Sequence, residues 1–322
     1  MNVTQATAQI GSSTRSGLRS LSDGWTITSI IIAALVAIPI ITVIGLALSP
    51  EENIWQHLVS TVLPRYVRTT LALMIGVGIG TLIIGVGTAW IVTTCKFPGR
   101  KIFEWALLLP LAIPAYVIAF LYTDVLEFAG PIQGMLRDMF GWSSPRDYWF
   151  PEIRSLGGAI IMMTLVLYPY VYMLARAAFL EQSFGVLEVS RTLGRGPWQS
   201  FFSVALPLAR PAIVIGLSLV MMETLNDFGT VDFFAVGTLT LGIFDVWMNM
   251  NNVGGAAQIA VLMLFFVLLL IWAERFARRK QRFHHTTSRH KSMPRKAVSG
   301  WRLVGVLLAC GLPLTFGFLL PV

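Results

Sequence analysis

Seven separate runs of mostly apolar residues limit this chain more than any other feature. About 20 such residues, at ~1.5 Å rise each, span the ~30 Å hydrocarbon core of a bilayer. The runs lie at 25–48, 69–94, 105–126, 155–179, 211–236, 254–273 and 301–322. In lipid no water satisfies the backbone, so each run is expected to close its own hydrogen bonds as a helix. The expected fold is all-α: a polytopic membrane bundle with a six-helix core and a seventh hydrophobic segment. Composition agrees, with 55% hydrophobic and only 12% charged residues. Soluble domains carry about 25% charged residues. A water-soluble enzyme, a disordered chain and a coiled coil are thereby excluded.

The first run is too long for a signal-peptide core and lacks a convincing cleavage site, so it reads as a retained helix. Residues 1–24, rich in Ser, Thr, Gln and Gly, read as a disordered tail. The chain has 24 Lys+Arg against 16 Asp+Glu. Nineteen of the basic residues fall in the tail, in the loops after the second, fourth and sixth runs, and at the adjoining ends of the fourth and seventh runs (Arg176 and Arg302); five fall in the opposite loops. That asymmetry places the N-terminus, the 180–210 loop and the 275–300 loop in the cytoplasm. It also accounts for the positive charge without a nucleic-acid partner. Residues 25–64 read as the first helix and a periplasmic loop, and 65–274 as the core. Residues 275–300 read as a basic cytoplasmic linker suited to an anionic lipid surface. Residues 301–322 read as the start of a second bundle, as in a longer fused chain.

The 187–207 loop is far from a random polar connection. Leu187 with Arg191, and Val189 with Leu193, fall at helical spacing. Gly194 and Gly196 offer a stop and Pro197 a new start. Phe201, Phe202, Val204 and Leu206 make a second apolar piece, which Pro207 is expected to end before the fifth span. Such a cytoplasmic helix–Gly–helix is built to dock in a groove of another protein. The plainer alternative is a helix lying on the lipid surface.

The same residues resemble the signature loop of the type-1 permeases of ABC importers: Glu-Ala-Ala, three residues, Gly, nine residues, then Ile-x-Leu-Pro. Here the chain reads Glu188-Val189-Ser190, then Gly194, then Val204-Ala205-Leu206-Pro207, at the same intervals. The resemblance implies that Glu188, Gly194, Leu206 and Pro207 couple the helices to a cytoplasmic ATPase. Arg191 joins them by its helical spacing from Leu187 and Glu188. The chain contains no Gly-Lys pair and hence no Walker A loop. The resemblance therefore implies no cofactor on this chain, ATP used by two partner ATPase subunits, an extracytoplasmic substrate-binding protein, a second permease half, and a bacterial inner membrane.

Three further stretches, 109–116, 168–172 and 223–231, are similar to the ferric-iron branch of these permeases, and the likeness covers most of 65–275. Related branches carry thiamine, phosphonate, sulfate or polyamine. Glu223 and Asp227 stand four apart in the fifth run, hence on one helix face. Intramembrane carboxylates usually face a bundle interior or a watery path. A hard cation prefers oxygen ligands, which Glu223, Asp227 and the phenols of Tyr168, Tyr170 and Tyr172 could supply along a path. Inter-helix hydrogen bonding is an equally good account of the carboxylates, and a better one for Asp232. No metal site is assigned. An ion-gradient transporter would also use midplane carboxylates, but leaves the 188–207 loop unexplained. A membrane enzyme ranks last, since His57 is the one histidine outside the linker.

Other features read plainly. Gly76 and Gly80 suggest close helix packing rather than a dinucleotide loop. Pro110, Pro114 and Pro169 suggest bent helices. His284, His285 and His290 suit a solvated linker. Cys95 and Cys310 suggest neither a disulfide framework nor a metal motif.

Overall fold

A computed structural model describes residues 24–50, 52–182, 196–278 and 296–321. The architecture is helical throughout. Among the described residues seven helices are long and apolar enough to cross a membrane, as expected. The chain runs α1 (Gly24–Leu48), α2 (Trp55–Ser60), α3 (Leu63–Thr94), the short strand β1 (Cys95–Lys96), α4 (Arg100–Ala106), α5 (Ala115–Leu126), α6 (Pro131–Phe140) and α7 (Leu156–Glu181). It continues with α8 (Pro197–Ser200), α9 (Leu206–Asn226), α10 (Gly229–Phe233), α11 (Leu239–Phe244), α12 (Val253–Arg278), the strand β2 (Lys296–Ala297) and α13 (Trp301–Leu314).

The core forms where α3, α7 and α9 meet, and glycines decide how closely they do so. Gly76 faces Ile160 and Gly80 faces Thr164 across the α3–α7 seam, the close approach expected of that pair. A Cβ on Gly85 would stand 2.8 Å from Val171 Cβ and 2.9 Å from the Tyr168 carbonyl oxygen. From the other side, a Cβ on Gly216 of α9 would stand 3.0 Å from Val171 Cα. Val171 is thus clasped between two helices at positions where neither carries a side chain. By contrast α1 buries none of its residues and lies mainly against α12.

Two expected spans prove to be broken. The 105–126 run is not one helix: α4 ends at Ala106, a 3-10 turn covers Leu109–Ala112, and α5 starts at Ala115. Pro110 and Pro114 lack donors, and Pro114 holds Ile113 extended at φ −105°, ψ 125°. The 211–236 run is likewise not one helix. It starts earlier, because α8, a π-type turn over Phe201–Ala205 and α9 follow without a break. Pro207 therefore does not end a separate helix. In the widened turn the Leu206 amide reaches back to the Phe201 carbonyl, which relieves the crowding that the proline ring would cause in a regular turn. The run also ends earlier, at Asn226.

The seventh helix, α13, docks on the same bundle, against α3 and α4, with a π-type turn over Thr315–Leu319 against α7. The Tyr122 hydroxyl donates to the Phe316 carbonyl at 2.5 Å. At the other end, β1 pairs in parallel with β2, and the Val298 amide donates to the Lys96 carbonyl at 3.1 Å. Cys95 and Cys310, remote in sequence, both join the main hydrophobic cluster as free thiols. In the 127–155 loop the rings of Phe140, Trp142 and Tyr148 stack in series.

Candidate functional site

At the basic end of the bundle, the expected coupling loop divides into two parts. Glu188, Arg191 and Gly194 lie outside the described residues. Leu206 and Pro207 are described: Leu206 is half-buried and Pro207 exposed, at the first turn of α9. The preceding turn is rooted by Phe201, which is buried between Trp90 and Phe179 at ring distances of 4.9 and 6.3 Å. Trp90 and Phe179 meet edge-on at 5.2 Å, so three helices share one aromatic cluster. The neighbouring Trp198 and Phe202 point the other way. They stack on each other and are 73% and 61% exposed. Phe202 belongs to the apolar piece expected from sequence; Trp198 was not singled out, although a Trp beside Gly-Pro in a basic loop is a visible signal.

Farther along α9, Ala209, Ile213, Gly216, Val220 and Thr224 face inward. Leu208, Leu219, Glu223 and Asn226 are exposed and form a stripe that no described element of this chain covers. Glu223 lies thirteen residues beyond the exposed Arg210, which is ~20 Å along the axis and inside a ~30 Å hydrocarbon layer.

Glu223 and Asp227 do not share a helix face. The helix ends at Asn226, and Asp227 takes an extended backbone with ψ 127°. Its carboxylate turns to α10, where Oδ1 accepts from the Thr230 amide at 2.9 Å and the Val231 amide at 3.2 Å. Oδ2 accepts from the Thr230 hydroxyl at 3.0 Å. Asp227 thus satisfies the orphan amides of a helix start. Asp232 is exposed on that short helix.

Nor do Tyr168 and Tyr172 join Glu223. Both are fully buried in the bundle core. The Tyr172 hydroxyl donates to the Glu104 carbonyl at 3.0 Å, and the Tyr168 hydroxyl has no partner among the described residues. Their one-turn spacing puts them on a common face of α7, while Tyr170, on another face, lies within electrostatic reach of Glu223.

Glu104 is a further residue that sequence reasoning missed. Its carboxylate pairs with Arg176 of α7 and with Arg100 at 3.3 Å, and Arg100 also donates to the Val92 carbonyl at 3.2 Å. The Arg100 spacing of four was visible in the sequence. The Arg176 partner, 72 positions away, was not.

Comparison with known proteins gives this geometry a family. Residues 81–282 match the model for the inner membrane component of binding-protein-dependent transport systems. The chain is 30% identical over 250 residues to the Fe(3+)-transport system permease FbpB 2 of Haemophilus influenzae, covering 77% of this chain and 43% of that protein. It therefore spans less than half the length of that relative. It is 28% identical to the molybdenum permease ModB of Escherichia coli over 210 residues, covering 62% of this chain and 88% of that one. The E. coli sulfate permease CysT is 27% identical over 249 residues, 74% of this chain and 86% of its own. Among solved structures, a bacterial ABC transporter for import of alginate matches with a TM-score of 0.63 at 14% identity, over 82% of this chain and 99% of that one. The methionine transporter MetNI matches with a TM-score of 0.51 at 21% identity, over 69% and 97%. These last two speak for the fold alone. By the family match, which covers well over half of its residues, the chain belongs to the inner membrane components of binding-protein-dependent transport systems.

Proposed function

We propose that the chain is one permease half of an ATP-driven importer of ferric iron, with ATP hydrolysed by separate subunits and the cargo delivered by an extracytoplasmic binding protein. The observation that carries this reading is the exposed carboxylate of Glu223 beside a helix break at membrane depth. A charge facing acyl chains costs ~2.5–3.5 kcal/mol even on the mildest scale, and irregular backbone at that depth is tolerated where protein or water covers it. The uncovered stripe of α9 therefore faces a watery path shared with a second permease half. Glu223 and Asn226 offer oxygen donors there, the ligand type that a hard cation takes. Asp227 keeps the break in shape, and Tyr168 and Tyr172 hold the wall behind it.

The same helical run supplies the link to the motor. It is continuous from Trp198 to Asn226, 29 residues. A partner ATPase gripping the Trp198–Phe202 knob, Leu206, Pro207 and the Glu188–Gly194 segment would move the whole rod, and Glu223 with it. Closure of two ATPases would thus switch the bundle between inward-open and outward-open states as a rigid-body change.

Uptake in proteoliposomes with the cognate ATPase and binding protein tests this. Glu223→Gln is expected to lower iron uptake about tenfold, ~1.4 kcal/mol at the barrier. Gly194→Asp is expected to insert normally and to abolish ATP-driven uptake. Wild-type uptake by both variants would overturn the reading. A second reading, an oxyanion cargo, is favoured by the exposed Arg65 and Arg68 on the opening turns of α3 and by the likeness to ModB and CysT. Molybdate or sulfate uptake in place of iron would select it.

A further inference from the structure

An apolar crevice of ≈ 950 Å³ lies between α5, α7 and α13, well away from the α9 stripe. Its lining includes Ile84, Met162, Leu165 and Leu312 and, from the 127–155 loop, Trp149 and Glu152. Met162 and Leu165 sit six and nine residues into α7, ~9–14 Å below the 127–155 loop. Leu312 is eleven residues into α13, ~17 Å from the basic end. Both counts put the crevice in the leaflet on the side of that loop, the outer one by the charge distribution. At that depth the surrounding solvent is acyl chain, and an apolar hollow offers water none of the two to four polar partners it needs.

Among the described residues, the loop side of the crevice carries one unpaired charge. Arg154 is paired with Glu127. The Ser155 hydroxyl donates to the Glu152 carbonyl and accepts from the Gly158 amide. The Glu152 carboxylate has neither an ion pair nor a hydrogen bond among the described residues. Trp149, 85% exposed, stands at the level where Trp rings settle between headgroups and chains.

The geometry points to a phospholipid site: one acyl chain of an ethanolamine phospholipid fills the crevice, and its ammonium group meets Glu152. Charge complementarity chooses this headgroup over an anionic one. The chain would act as a wedge that seats α13 against α7.

The full chain, reconstituted in vesicles of equal phosphatidylethanolamine and phosphatidylglycerol, extracted gently and examined by native mass spectrometry, tests the site. One retained phosphatidylethanolamine per chain is expected, several-fold over phosphatidylglycerol. Gly157→Leu is a filling variant, since a Cβ there meets only the Ser155 hydroxyl, at 3.8 Å. It is expected to cut retention several-fold. Glu152→Gln leaves the fold untouched and is expected to bring the two lipids to equal retention. No retained lipid, equal retention in wild type and Gly157→Leu, or a preference for phosphatidylglycerol in the wild type would overturn the proposal.

Discussion

The Gln182 side-chain amide donates to the Ala205 carbonyl at 2.8 Å, which ties the end of α7 to the π-type turn that leads into α9. In sequence, residues 183–195, with Glu188, Arg191 and Gly194, connect these two anchored ends. A load on that segment would therefore reach two spanning helices at once. Gln182→Ala is expected to cost about 1 kcal/mol, the net worth of a hydrogen bond, and to lower uptake per ATP hydrolysed. Coupled transport and ATPase assays on one preparation measure both. Unchanged stoichiometry would reduce the contact to a structural tie.

Gly85 is the second point of leverage. An added methyl group there meets backbone as well as Val171, so α3 and α7 would have to separate. Gly85→Ala is expected to destabilise by ~1–3 kcal/mol, as overpacking does. Gly87→Ala, where nothing lies within 4 Å, is expected to be neutral or stabilising. Thermal unfolding of the two variants in the same lipid compares them directly.

The Glu104 cluster predicts strong non-additivity. Glu104 receives Arg176, Arg100 and, through its carbonyl, the Tyr172 hydroxyl. In a double-mutant cycle, Glu104→Ala and Arg176→Ala are expected to show a coupling of ~1–3 kcal/mol, because the pair is largely shielded from water. Additive losses would mean that the pair contributes nothing of its own.

Acid should loosen one turn outside the membrane. The Ser143 and Ser144 amides donate to Asp147 at 2.9 and 2.8 Å, and these bonds hold its carboxyl below the usual range. A lowered folded value stabilises the turn above the unfolded pKa of ~3.9, and that contribution is lost as pH falls through the folded value. Amide exchange at Ser143 and Ser144, corrected for intrinsic rates, is expected to rise as the pH falls below about 4. Asp147→Asn should flatten that dependence.

Much of this architecture was legible in the sequence because lipid leaves so few options. Length and hydropathy were enough to find all seven spans, and the glycine spacing in α3 foretold a close helix seam, though not that α7 would form it. The failures share a cause. A run such as 211–236 records only that its residues tolerate an apolar setting. Where the helix stops within the run depends on Asp227 finding amides in α10, a bond that hydropathy does not register. Tyr168 and Tyr172 looked like ligands by residue type, yet both are buried on the side of α7 that packs into the core, a side set by close contacts such as Gly85 and Gly216 against Val171, which residue type does not record. Glu104 passed unnoticed because its main partner arrives from a helix far along the chain.

The length of α3 has a mechanical consequence. Its 32 residues extend ~48 Å, against a film ~30 Å thick. Spanning helices lean by about 20° on average, which absorbs little of that excess. The rod must also protrude, and an inclined beam anchored at Trp90 near one end and, by the 3.4 Å hydrogen bond from the Tyr66 hydroxyl to the Asp245 carboxylate, near the other converts a small change of slant at one surface into a sideways sweep at the opposite one.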